Sequence, residues 1–126
     1  MLKQRQILPL HGLSQNFHAH VYFDDDQLEQ ALSCYAAIQA SFPGLKLGRV
    51  HETLVGPHLK RQFQIALDRE TVTDFLIWLD DNRGPMSVLV HPLTIDEVQD
   101  HTAHALWLGD KLPLKLGVLG APNPTT

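Results

Sequence analysis

The sequence predicts an α+β fold: an antiparallel sheet with two helices on one face, in the ferredoxin-like order β-α-β-β-α-β. Period-two alternation of apolar residues recurs in "HAHVYF" and "KRQFQIALD". Two segments with helical spacing follow these, and the second leads into a short apolar run, "MSVLVHP".

In "HAHVYF" the alternation sends Phe17, Ala19, Val21 and Phe23 to one side of a strand and His18, His20 and Tyr22 to the other. Asp24, with Gln27 three residues on, forms a capping-box pattern at the start of a helix. Leu28, Ala31, Leu32, Tyr35, Ile38 and Phe42 continue at helical spacing until Pro43-Gly44 ends it. "LKLGRVHETLV" is extended but irregular, and Gly56-Pro57-His58 is turn chemistry. In the next strand Phe63, Ile65 and Leu67 share a face. A second helix spans about Glu70 to Asn82, with Val72, Phe75, Leu76 and Leu79 inward and Gly84 just past its end. Pro92 closes the last strand; in "DHTAHALWLG" a short helix would put His101 and His104 on one face, and the tail "GAPNPTT" reads as a loose end.

Size and composition limit the function classes. A chain of 126 residues, 44% hydrophobic and 19% charged, fits a single globular domain over 1–126. No apolar run reaches the roughly 20 residues of a membrane span, and Pro9 breaks the N-terminal apolar stretch, a poor secretory signal. Ten basic against 14 acidic residues give a net charge of −4, and the scattered lysines and arginines form no nucleic-acid-binding stripe. The single cysteine, Cys34, cannot close an internal disulfide, which fits the reducing cytoplasm, and beside the first helix's apolar stripe it reads as a small core residue.

Histidine is in excess, with eight copies. Parity places His18, His20, Gln62, Gln64, Leu89 and His91 on the sheet face away from the helices, and His58 lies at the start of the strand carrying the glutamines. A His-x-His pair on a strand puts both rings on one side, within reach of one ion. Neutral imidazole is a common ligand for zinc, copper, iron and nickel. Pro57 and Pro92 adjoin His58 and His91 and restrict their backbone. His11 and His51 read as surface residues, His104 as a solvated helical residue, and Trp78 and Trp107 as packing residues. Asp100, beside His101, either orients it or caps a helix.

Taken together, "FHAHVYF", "VGPH", "NRGPMSVLVHP" and "DHTAHALWLG" occur in the order and spacing of the DOPA 4,5-dioxygenase family, which the chain resembles over a core from Phe17 to Gly109. The resemblance implies a non-haem iron(II) extradiol dioxygenase that opens the ring of a catechol such as DOPA or caffeate with dioxygen. The family's histidines fall on His18, His20, His58, His91 and His101. The expected division makes His20, His58 and His91 the metal ligands and His18 or His101 the acid/base group. An all-histidine set would also suit zinc or nickel, and Glu52 is the nearest carboxylate by sequence. Leu59 stands where the family usually continues Gly-Pro-His with proline.

Two alternatives belong beside that reading. One is a non-catalytic metal or small-phenol binding protein of the same fold. The other is a metal-free barrel-like dimer whose histidines merely line a pocket. A homodimer is expected, because the face holding Tyr22 and Leu89 needs covering, by a second copy or by the segment after Pro92.

Overall fold

The computed structural model describes residues 14–119; His11 and the tail from Gly120 lie outside the described residues. Its strands are β1 (Asn16–Phe23), β2 (Lys46–Leu47), β3 (Arg61–Asp68), β4 (Val88–Pro92) and β5 (Leu106–Leu108). Its α-helices are α1 (Leu28–Ser41), α2 (Val72–Asn82) and the short α3 (Glu97–Asp100). The strands form one antiparallel sheet in the order β2-β3-β1-β4-β5. Its first four members have the ferredoxin-like topology; β5 is an added edge.

The core lies between the sheet and the two long helices. Phe17, Ala19, Val21 and Phe23 from β1 meet Phe63, Ile65 and Leu67 from β3 and Val88 and Val90 from β4. Ala31, Cys34 and Ile38 close over them from α1, and Val72, Phe75, Leu76 and Leu79 from α2. Aromatic edges lock the layers, with Tyr35 on Phe63 at 5.1 Å and Phe42 on Phe75 at 5.0 Å between ring centroids. The start of α1 is prepared by a 3-10 turn, Asp25–Gln27, where the Asp24 N–H donates to Gln27 Oε1 at 2.8 Å. Gly84, after the end of α2, takes φ +58°, a conformation that suits glycine at that position.

Three expectations change. Leu32 is 48% exposed, because α1 turns the Ala31–Cys34–Ile38 stripe inward and leaves Leu32 at its margin. The helix stops before His104: α3 ends at Asp100, a turn carries residues 101–104, and "LWL" follows as a strand in which Trp107 pairs with Leu89. His101 and His104 therefore share no helix face, and His104 is half-buried with its Nδ1 lacking a hydrogen-bond partner. Asp100 neither orients His101 by a hydrogen bond nor caps α3. Asp96 caps it by accepting the Gln99 N–H at 3.0 Å. The buried Asp100 carboxylate instead accepts from the Thr94 N–H at 2.8 Å and the Thr94 hydroxyl at 2.6 Å, tying the turn after β4 to α3.

The sheet face away from α1 and α2 is covered by the chain itself. Trp107 stacks on Tyr22 at 5.8 Å, and Leu112 and Pro113 meet Tyr22 and Leu59 around a small apolar cavity of about 100 Å³. Leu114 bridges to His58, and the Lys115 N–H donates to the Pro57 carbonyl at 2.7 Å. Tyr22 and Leu89 are consequently buried without a second copy. No helix among the described residues is long and apolar enough to cross a membrane.

Phe75→Ala should cost about 3–5 kcal/mol of unfolding free energy in urea titrations, because it empties a fully buried site. Leu32→Ala should stay within about 0.5 kcal/mol despite its place in the helical pattern.

Candidate metal centre

Register builds the site. β1 pairs with β4 so that His18 faces His91, and with β3 so that His20 faces Gln64 and Tyr22 faces Gln62. Direct partners in an antiparallel pair project to the same side, so all these side chains share the face opposite the core. His58 arrives from the loop before β3, its ring centroid 4.4 Å from that of His20. His101, at the end of α3, lies 4.1 Å from His91. All five histidines line one cleft of about 250 Å³, with Pro57, Gln64, Leu93, Thr94 and Leu119 among its walls. That volume is below the roughly 300–1,000 Å³ of drug-sized sites and suits one small ring.

Within the cluster, the nitrogens of His18, His20 and His91 lie within 4.8 Å of one another, the group able to hold one metal ion. His58, the expected third ligand, stands beside this group, with its Nδ1 2.6 Å from the Tyr22 hydroxyl. His18, expected as an acid/base group, stands inside it. Glu52 is exposed and borders a different groove, with Leu28 and Arg61. The carboxyl-bearing residues of the histidine cleft are Glu97 and Asp100, and Asp100 is committed to Thr94.

The hydrogen bonds determine which nitrogen of each key ring can ligate. His91 Nδ1–H donates to the Pro92 carbonyl at 2.9 Å, and a carbonyl only accepts, so Nε2 carries the lone pair. His20 Nδ1–H donates to Gln62 Oε1 at 2.9 Å, with the same consequence. The two Nε2 atoms then face each other at 3.1 Å. Burial, reinforced by the charges of His58 and His91, holds His20 well below the usual imidazole range. Burial and then the neighbouring charge of His101 push His91 down to about 3, against the opposing pull of the Pro92 hydrogen bond. With both rings neutral, two lone pairs confront each other with no proton between them, an arrangement suited to a cation. Nitrogens at that separation can each stand about 2.1 Å from one ion. Donation from Nδ1 to an oxygen also fixes ring orientation and makes Nε2 more basic.

His58 and His18 are also disfavoured as cations. His58 is pushed down to about 4 by burial, then by the charges of His101 and His51, and His18 is lowered by burial and by His101. His101 Nδ1–H donates to the Glu97 carbonyl at 2.7 Å, so in the neutral ring its Nε2 is an acceptor, without a protein partner among the described residues. Parity alone reveals His18, His20, His91 and Gln62; His58 follows from its place before β3, and His101 from the family resemblance. The Glu97 carbonyl, four residues before His101, is visible only once α3 is known to end there.

A second groove, about 510 Å³, lies at Glu29, Ser33, Cys34, Arg83 and Met86. It gathers no ligand cluster, and burial pushes the Cys34 thiol up to about 11, which keeps it protonated and inert.

Fold and site define a small α+β protein with a histidine centre able to hold one metal ion. The chain belongs to the Dopa 4,5-dioxygenase family, whose model matches residues 17–118. It is 37% identical over 119 residues to an uncharacterized 21.2 kDa protein of Botryotinia fuckeliana, covering 86% of this chain and 65% of that one. It is 33% identical over 113 residues to a DOPA 4,5-dioxygenase of Amanita muscaria, covering 83% of this chain and 50% of that one. The chain thus spans about half to two thirds of the length of these curated relatives. The crystal structure of a candidate dioxygenase from Nostoc punctiforme superposes with a TM-score of 0.79 at 37% identity, covering 83% of this chain and 90% of that one.

The depressed histidines make stability pH-dependent. The unfolded chain protonates near 6.5, whereas His58 and His91 do so only near 4 and 3, so their contribution is complete above pH 6.5 and lost progressively below it. Thermal midpoints of metal-free protein should fall steadily from pH 7 to pH 5, approaching a slope of about 1.4 kcal/mol per pH unit per histidine. His91→Gln should flatten the profile; a flat wild-type profile would contradict the depressed values.

Proposed function

We propose that this chain is a ring-cleaving extradiol dioxygenase acting on a catechol such as DOPA or caffeate, with iron(II) held by His18, His20 and His91. The observation carrying this reading is the pair of facing Nε2 lone pairs of His20 and His91, with His18 completing a three-nitrogen group in a cleft sized for one ring. The family membership and the Amanita muscaria relative support the reaction class.

Bound iron would supply the redox centre that allows dioxygen to react with a catecholate. Ring opening breaks one carbon–carbon bond and the O–O bond, and both oxygen atoms enter the product. The catechol supplies the four electrons, so no outside reductant is required. His101 Nε2, an acceptor by virtue of the Glu97 contact, takes a proton from a catechol hydroxyl. Leu93, Pro57 and Leu119 provide apolar walls that limit water at the ring. With His18, His20 and His91 as its protein ligands, a bound ion would remain accessible to small molecules in the cleft.

Anaerobic loading with iron(II), addition of a catechol and then admission of air should produce a coloured semialdehyde, with one dioxygen consumed per ring opened. Absence of uptake and product across several catechols would overturn the proposal. By elemental analysis His91→Ala should lose the metal, whereas His101→Ala should retain it and turn over about 100-fold or more slowly.

A further inference from the structure

Tyr22 lies deep under Trp107, and its hydroxyl is 2.6 Å from His58 Nδ1. A neutral imidazole carries one proton, on either nitrogen. If it were on Nδ1, the phenolic oxygen would accept it and the phenol's own proton would have no acceptor among the described residues. A buried donor left without a partner is costly. If the proton is on Nε2, the phenol donates to Nδ1 and both groups are satisfied. At 2.6 Å a phenol and a neutral imidazole therefore have one arrangement in which every polar hydrogen is placed, with Tyr22 donating to Nδ1. His58 Nε2 has no protein hydrogen-bond partner among the described residues, and His58 lines the cleft beside His20.

We propose that Tyr22 locks His58 in the Nε2–H tautomer, making His58 a hydrogen-bond donor to an anionic oxygen of the bound ligand rather than a metal ligand. The contrast is within one cluster: carbonyl-type acceptors turn the Nε2 atoms of His20, His91 and His101 into lone pairs, and a phenol donor turns that of His58 into N–H. The cleft thus presents ligating nitrogens, a proton acceptor and a proton-bearing donor, a set matched to a ligand with two adjacent oxygens. Tyr22 is a positioning residue, and His58 the group that touches substrate. The substrate part rests on the proposed catechol function; the tautomer does not.

The test is a long-range proton–nitrogen NMR spectrum of 15N-histidine protein, metal-free and zinc-loaded. His58 should show protonated Nε2 and bare Nδ1 in both, and Tyr22→Phe should release it into a mixture of tautomers. Zinc stoichiometry should be unchanged in His58→Gln and in Tyr22→Phe. Affinity of the zinc-loaded protein for catechol should fall about tenfold or more in Tyr22→Phe. A wild-type His58 protonated at Nδ1, or loss of zinc in His58→Gln, overturns the inference whether or not Tyr22→Phe folds. A wild type that binds neither zinc nor catechol would instead count against the proposed function, with the tautomer still readable in metal-free protein.

Discussion

The site depends on the position of β1 between β3 and β4. That placement sets His18 opposite His91 across one interface and Tyr22 opposite Gln62 across the other. A shift of one residue in either register would send the histidines into the core and Ala19 and Val21 into the cleft. The apolar side of β1 forbids the slip: Phe17, Ala19, Val21 and Phe23 are all buried against α1 and α2. The same packing that holds the domain together therefore holds the imidazoles within a few ångströms of each other.

Geometry alone would leave five equivalent rings. Their hydrogen bonds differentiate them. Pro92 and Gln62 take the Nδ1 protons of His91 and His20, the Glu97 carbonyl takes that of His101, and Tyr22 meets His58 at the same atom with the opposite polarity. Because these rings are buried and close, a positive charge on one opposes a charge on the next, so His20, His58 and His91 are neutral near pH 7. Neutral imidazole is the ligating form. The chain meets the electrostatic cost of crowding histidines in a way that favours a shared cation.

The covering segment carries a second consequence. Residues after β4 return over this sheet face through Trp107, Leu112, Pro113 and Leu114, which cover Tyr22 and bridge to His58, while Leu93, Thr94 and Leu119 line the cleft. The Asp100–Thr94 pair anchors the start of this segment beside His91, which brings His101 to that ring. A buried carboxylate committed to Thr94 thus helps to shape the cleft that it lines.

Local pattern was enough for the α+β class, the order of elements and the two faces of β1, because period-two and period-3.6 hydrophobicity are written residue by residue. It also marked His18, His20, His58 and His91, since parity carries a side chain's direction without any long-range knowledge. Alternation could not reveal that β4 pairs directly with β1, that "LWL" extends the sheet, or that Leu32 stays in water, because each depends on what the rest of the chain presents opposite. The exchange of His18 for His58 in the three-nitrogen group has the same origin. Which nitrogen of a ring bears the proton depends on the partner at hydrogen-bond distance, and that partner lies 36 to 71 residues away in the contacts of His58 with Tyr22, His20 with Gln62 and His20 with His91. Residue type and spacing determined that histidines gather on one face; for His20 and His58 only the tertiary contacts decided which offers a lone pair and which offers a proton.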